Sequence, residues 1–227
     1  MIKIITFANG NYTESRDILV SIIRNMNVGQ VIKYTDNDLG VDFFEKYKEI
    51  LSFSRGYGYW VWKPFLILKS LMESNPDDII FYVDSTDLPT KKLFEYINNH
   101  FIENDILLFR QNYPHDNWTK KDCFILMDCD GDKYHNQIQL EAGAIAIKKT
   151  NFNIKLMEEW LNYCSNKFIV SDLPNICGFE NHINFVEHRH DQSILTNLAI
   201  KYDIKSQQLD DSYISYNTQN LQKLIYK

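Results

Sequence analysis

The sequence predicts an α/β fold: one domain with a mainly parallel central sheet and helices on both faces. Two observations lead there. Short β-rich runs alternate with segments whose apolar residues recur at helical spacing. The run "DIIFYV" at 78–83 is apolar after its first residue, as a strand covered on both faces requires. The alternation itself favours parallel strands joined through helices.

Taken in order, "KIITFA" (3–8) is the first strand, stopped by Asn9 and Gly10. Leu19, Ile22, Ile23 and Met26 then mark the first helix. "QVIKYT" (30–35) is a second strand and "VDFFEKYKEILSF" (41–53) a second helix. A glycine-bearing aromatic loop follows, then a helix from about Pro64, because proline fits a first helical turn and Leu66, Ile67 and Leu71 continue the stripe. After the 78–83 strand, a helix spans about 90–102. "DILLFR" (105–110) and "AGAIAIKK" (142–149) are strands, and "FNIKLMEEWLNYC" (152–164) is a helix. "QSILTNLAIKY" (192–202) is a helix after a long polar loop, and 110–140 reads as an insertion that shapes a second ligand's pocket.

At 227 residues the chain can bury a substantial core, and 44% hydrophobic with 24% charged residues is an ordinary globular composition. The net charge of -6, without a stripe of Lys and Arg, argues against gripping nucleic acid through its phosphates. A small anionic ligand needs only a few local donors and stays open. Cys123, Cys129, Cys164 and Cys177 have no zinc-like spacing. No signal peptide is legible, and no apolar stretch approaches the roughly 20 residues that span a bilayer.

Ligands of such sheets bind outside the carboxyl ends of the strands. That rule selects "FANGN" after strand one and "DSTD" (84–87) after the 78–83 strand. Asp84 and Asp87 can hold Mg²⁺ or Mn²⁺, hard cations that take oxygen ligands and bridge to phosphates. Asp87 equally suits a cap on the helix near Pro89. In "SRGYGYWVWKP" (54–64), Arg55 and Lys63 are candidate phosphate partners, and Gly56 and Gly58 permit close backbone approach. Tyr59, Trp60 and Trp62 alternatively pack into the core. In "EHRHDQS" (187–193), Asp191 is either the next helix's N-cap or a general base, and His188 or His190 can ligate metal or contact phosphate. In "QLEAGAIAI" (139–147), Ala142 and Gly143 let backbone approach a ligand, and Glu141 rivals Asp191 as base.

The ordered set "RGYGYWVWKP", "IIFYVDSTD", "WTKKD" (118–122), "QLEAGAIAIKK", "EEWLNYC" and "EHRHDQSIL" resembles a family of nucleotide-sugar glycosyltransferases of the GT-A fold, found in bacterial surface-polysaccharide loci and large DNA viruses. The resemblance covers roughly 50–200. It implies a single GT-A catalytic domain over 1–227, with a Rossmann-like nucleotide-binding half at about 1–110 and an acceptor-binding, catalytic half at about 111–227. It implies a nucleoside-diphosphate sugar donor, a glycan or other hydroxyl acceptor, and Mn²⁺ or Mg²⁺ at Asp84 and Asp87. Thr6, Ala8 and Asn9 match the nucleotide contacts, Arg55 falls in the loop approaching base or phosphates, and Ala142 and Gly143 match the strand beside the donor sugar. Asp191 lies where inverting members place their base. The Asp-Ser-Thr-Asp spacing departs from the usual Asp-any-Asp. Trp118 and Lys120 are expected on the acceptor side. A cytoplasmic protein is expected, or one in the host cytoplasm for a viral member. A retaining enzyme and a non-catalytic nucleotide- or carbohydrate-binding module are the alternatives.

Overall fold

A computed structural model describes residues 1–215 of the chain. Six strands form one sheet: β1 (Ile2–Phe7), β2 (Gln30–Tyr34), β3 (Ile79–Val83), β5 (Ile106–Pro114), β6 (Ile138–Lys148) and β7 (Ser206–Gln208). A separate two-strand ribbon pairs β4 (Leu88–Pro89) with β8 (Ile214–Ser215). The sheet order is β2-β1-β3-β6-β5-β7, and only β6 runs against its neighbours. The expected single-domain α/β architecture, with a mostly parallel sheet between helical layers, is therefore present.

Two cores lie on opposite faces of the sheet. Alternate residues of β1 and β3 divide between them: Ile5, Ile80 and Tyr82 face one, and Ile4, Phe81 and Val83 face the other. The first face packs the helices Val41–Leu51, Trp62–Met72, Asn151–Cys164 and His190–Lys201, with Trp160 fully buried among them. The second packs Thr13–Met26 and Lys91–His100 through Leu19, Ile23, Leu93 and Ile97.

The alternation slips along β6. Leu140 and Ala142 face the first core, yet so do Ile145 and Ile147, while Ala144 and Ala146 face the second. Between Leu108↔Ile145 and Phe109↔Glu141 the pairing with β5 shifts register. Such irregularities re-aim side chains next to functional sites. Because β6 is antiparallel to β3, this irregular stretch meets the carboxyl end of β3, where the Asp84 amide donates to the Gly143 carbonyl at 2.8 Å.

The Trp62–Met72 helix begins two residues before Pro64, which still falls in its first turn. The 110–140 segment is integral rather than appended. Its His115 is fully buried and hydrogen-bonds Gln139, Thr119 and Asn197, tying it beneath β6 and the last helix. Among the described residues, no helix is long and apolar enough to cross a membrane.

Candidate active site

A cleft of about 430 Å³ opens over the carboxyl ends of β1 and β3. Ala8 and Asn9 line it directly after β1, and Asp84, Ser85 and Thr86 directly after β3. The remaining lining is largely aromatic, including Tyr12, Tyr57, Trp60 and Trp62. Thr6 is fully buried below this surface, its hydroxyl without a partner among the described residues, and does not line the cleft.

The aromatic loop has an unusual backbone. Gly56, Tyr57, Gly58, Tyr59 and Trp60 have successive φ values of 57, 52, 79, 51 and 61°. Tyr59 N donates to Arg55 O at 2.8 Å and Trp60 N to Gly56 O at 3.1 Å, so the segment is one turn of left-handed helix. Each non-glycine residue there costs roughly 1–2 kcal/mol. Gly56 is needed twice over, because a Cβ on it would lie 2.5 Å from the Trp60 ring. Packing holds the turn. Trp62 donates its indole N–H to Gly56 O, Tyr57 stacks on Phe7, and Trp60 stacks on His190. Trp60 is half-buried on the cleft wall, serving packing and lining at once.

Four carboxylates gather beneath and beside the cleft. A Cβ placed on Gly143 would lie 2.8 Å from Glu141 Oε1, 2.9 Å from Asp87 Oδ2 and 3.1 Å from Asp84 Oδ2. Gly143 thus serves by its missing side chain, since its φ is not in the left-handed region. The fourth acid, Asp191, is 4% exposed and joins the group through Lys63, itself 3% exposed. Lys63 Nζ lies 3.1 Å from Asp191 Oδ2 and 3.5 Å from Asp84 Oδ1. The Asp191 contact is an ion pair without hydrogen-bond alignment. Tyr82, two residues before Asp84 on the same strand face, donates its hydroxyl to Asp84 Oδ1.

The electrostatics follow from this crowding. Burial, then the charges of Asp84 and Glu141, pushes the Asp87 carboxyl well above the carboxylate range. Burial also raises Glu141, against the Gly143 amide that favours its ionised form. Burial raises Asp191 to about 6, with Lys63 pulling the other way. For Lys63, burial favours the neutral amine, but Asp191 and Asp84 outweigh it and keep the ammonium charged.

One buried ammonium among four acids leaves an excess of negative charge that a divalent cation would relieve. Among the described residues, no three His, Cys, Asp or Glu side chains stand ready to coordinate one ion. The donor set fits a cation held by one or two carboxylates, here Asp84 and Asp87, with phosphate and water completing its shell. The space a Gly143 Cβ would fill is bordered by oxygens of Glu141, Asp87 and Asp84 and would accommodate such an ion.

Several expected roles move. Asp87 is not a helix cap: the helix starts at Lys91 with Thr90 before it, because Leu88–Pro89 is taken up by the ribbon. Asp191 is not an N-cap either, since the helix begins at His190 and Asp191 lies inside its first turn. Lys63 is drawn inward as the acids' counter-ion and does not line the cleft. Arg55 pairs at the rim with Asp172 at 3.1 Å and Glu187 at 3.3 Å, outside the cleft lining. His188 spends both ring nitrogens on backbone, accepting from Lys120 N and donating to Ile169 O, which leaves none for a metal. His190 donates Nδ1–H to Val170 O at 2.7 Å and buries Nε2 without a hydrogen-bond partner among the described residues. Lys120 is buried, donating to Leu173 O at 2.6 Å, while Trp118 carries the Arg189 guanidinium on its ring. Ala142 is buried beside Gly143 on β6.

Sequence reasoning passed over Tyr82 and the left-handed turn. The signal for Tyr82 was available: strand alternation puts residues two apart on one face, so a tyrosine two before Asp84 can reach it.

No protein-family model matches the chain, and no curated protein matches it. Among solved structures it is similar to a crystal structure of mouse xyloside xylosyltransferase 1 in its apo form. The identity is 12% and the TM-score 0.47, over 92% of this chain and 84% of that one.

Proposed function

We propose that the chain is a metal-dependent glycosyltransferase that moves a sugar from a nucleoside-diphosphate donor to an acceptor hydroxyl, in the first instance on a glycan. One observation carries the reading. At the carboxyl ends of parallel strands, an aromatic-walled cleft adjoins a carboxylate cradle emptied of side chain at Gly143. Aromatic walls suit a base or sugar face, and the acids suit a cation that bridges to phosphate.

In this reading the nucleotide lies against Ala8, Asn9 and the aromatic wall, and the donor sugar passes the small-residue stretch Ala142–Gly143. Asp84 and Asp87 would hold Mn²⁺ or Mg²⁺, which when bound neutralises charge growing on the departing diphosphate. The acceptor oxygen loses its proton to a carboxylate and attacks the anomeric carbon as the bond to the diphosphate oxygen breaks. A base must come within hydrogen-bond reach of that proton. Asp191 is the base expected from the resemblance, but it is enclosed behind Lys63. Glu141, at the cradle and partly open to solvent, is the rival base, its Oε1 accepting from Gly143 N at 2.7 Å and its Oε2 from the Gln111 side chain. A single displacement of this kind inverts the anomeric centre.

The test is a thermal-shift screen of nucleoside diphosphates and nucleotide sugars with and without Mn²⁺, followed by product analysis. Ligands that bind only the folded state raise apparent stability by mass action. The reading predicts one preferred base, stabilisation that needs Mn²⁺, and release of nucleoside diphosphate. Binding without any release would mark a binding module instead. Release of pyrophosphate would mark a nucleotidyltransferase.

A further inference from the structure

The two oxygens of Asp84 have different surroundings. Oδ1 receives the Tyr82 hydroxyl and lies 3.5 Å from Lys63 Nζ. Oδ2 has no protein donor among the described residues and faces the space beside Gly143, where Asp87 Oδ2 also points. Tyr82 is 1% exposed, fixed by the first core, with Lys63 Nζ 5.3 Å above its ring. Lys63 is fixed in turn by Asp191, whose own backbone carbonyl accepts the Trp160 indole N–H at 2.9 Å. An exposed aspartate turns freely about its last bond, but this one is held from beneath at one oxygen.

We propose that Tyr82 and Lys63 are positioning residues: together they engage Asp84 Oδ1 and so leave Oδ2 turned to the space beside Gly143, where it would take a divalent cation. The inference rests on the glycosyltransferase reading above and deepens it. It assigns Lys63 to the carboxylate rather than to the diphosphate, and gives Asp191 the task of holding Lys63. Groups that orient a metal ligand from behind are worth about 10–100-fold in metal affinity.

The decisive variant is Tyr82→Phe, which deletes one hydroxyl and keeps the ring that packs the core. Mn²⁺ binding to the full chain is measured by electron paramagnetic resonance with a nucleoside diphosphate present, alongside unfolding without metal. Tyr82→Phe should weaken Mn²⁺ about 10-fold or more, with metal-free stability little changed. Asp84→Ala should abolish Mn²⁺ binding. Mn²⁺ affinity of Tyr82→Phe within twofold of wild type, while Asp84→Ala loses binding, would overturn the positioning role and leave the metal site standing. Failure of the wild-type chain to bind Mn²⁺ with any nucleoside diphosphate would overturn both readings.

Discussion

Lys63 and Asp191 form an ion pair of 3.1 Å inside the first core, with both residues almost fully enclosed. Removing one member of such a pair leaves the other as an uncompensated buried charge, at a cost of about 3–5 kcal/mol. Lys63→Met should therefore lower denaturant-measured stability by that order. Adding Asp191→Asn should recover much of it, because the two changes act on one interaction. Additive losses would show that the pair does not couple.

Gly143→Ala separates site from fold. The backbone there accepts alanine, but the methyl would meet three carboxylate oxygens within 3.1 Å. Stability should change by less than about 1 kcal/mol, since glycine in a strand interior is itself unfavourable. Mn²⁺-dependent nucleotide binding should fall about 10-fold or more. Isothermal titration of both proteins reads the difference.

The base assignment is a contest between Glu141 and Asp191. Loss of a positioned base costs about 10²–10⁴-fold in rate. Glu141→Gln should show that loss in kcat. Asp191→Asn should act instead through weaker metal binding and lower stability. Single-turnover rates at saturating Mn²⁺ distinguish the two, and the reverse pattern would restore Asp191 as the base. Product NMR of the anomeric configuration checks the inversion.

Tyr57 supplies a flat face on the cleft wall, stacked with Phe7 at 6.5 Å between centroids. Base stacking on an aromatic is worth about 1–3 kcal/mol by alanine substitution. Tyr57→Ala should weaken nucleoside diphosphates by a corresponding factor while leaving affinity for Mn²⁺ alone unchanged.

His190 contributes an acid sensitivity with a defined window. Burial holds His190 neutral, its imidazole pulled down to about 4, below the ordinary 6.5. In the unfolded chain it protonates first, so its contribution to stability is full above about 6.5 and is lost as pH falls towards 4. Between pH 7 and 5 the loss from this group is about 2 kcal/mol. Asp87 and Asp191, whose carboxyls are raised, act in the opposite sense over the same range, so the test is a difference. As pH falls from about 7 to 5, His190→Gln should lose less stability, or gain more, than wild type, with tryptophan fluorescence reporting through the Trp60 stack.

The three-residue strand Ser206–Gln208 went unread, but the five longer strands and the long helices were legible because their signals are local: an apolar run, or a 3.6-residue stripe. The direction of β6 was not, since direction depends on how the chain returns from β5, not on residues 138–148 themselves. The ribbon of Leu88–Pro89 with Ile214–Ser215 offers only two residues a side, too few for any period. The capping reading of Asp87 failed for that kind of reason, as the ribbon takes up Leu88–Pro89, and that of Asp191 failed because the helix has already started at His190. The carboxylates were legible by type and place, and their convergence was not. It needs β3 and the irregular stretch of β6 side by side, which no single segment encodes. Lys63 read as a phosphate contact because lysine usually seeks water, and here two acids supply the reason to turn inward.

The left-handed turn at Gly56–Trp60 sets a conflict between robustness and use. Its three aromatic residues occupy backbone that glycine or asparagine would hold more comfortably. Tyr59 is buried in the first core, so trimming it would lose more packing than the backbone regains, and it should persist under any selection. Tyr57 and Trp60 are half-buried on the cleft wall, where glycine or asparagine would exchange about 1–2 kcal/mol of backbone strain for lost lining. A library screened for heat tolerance and nucleotide binding together should keep these two aromatics, while one screened for heat tolerance alone should tolerate their loss.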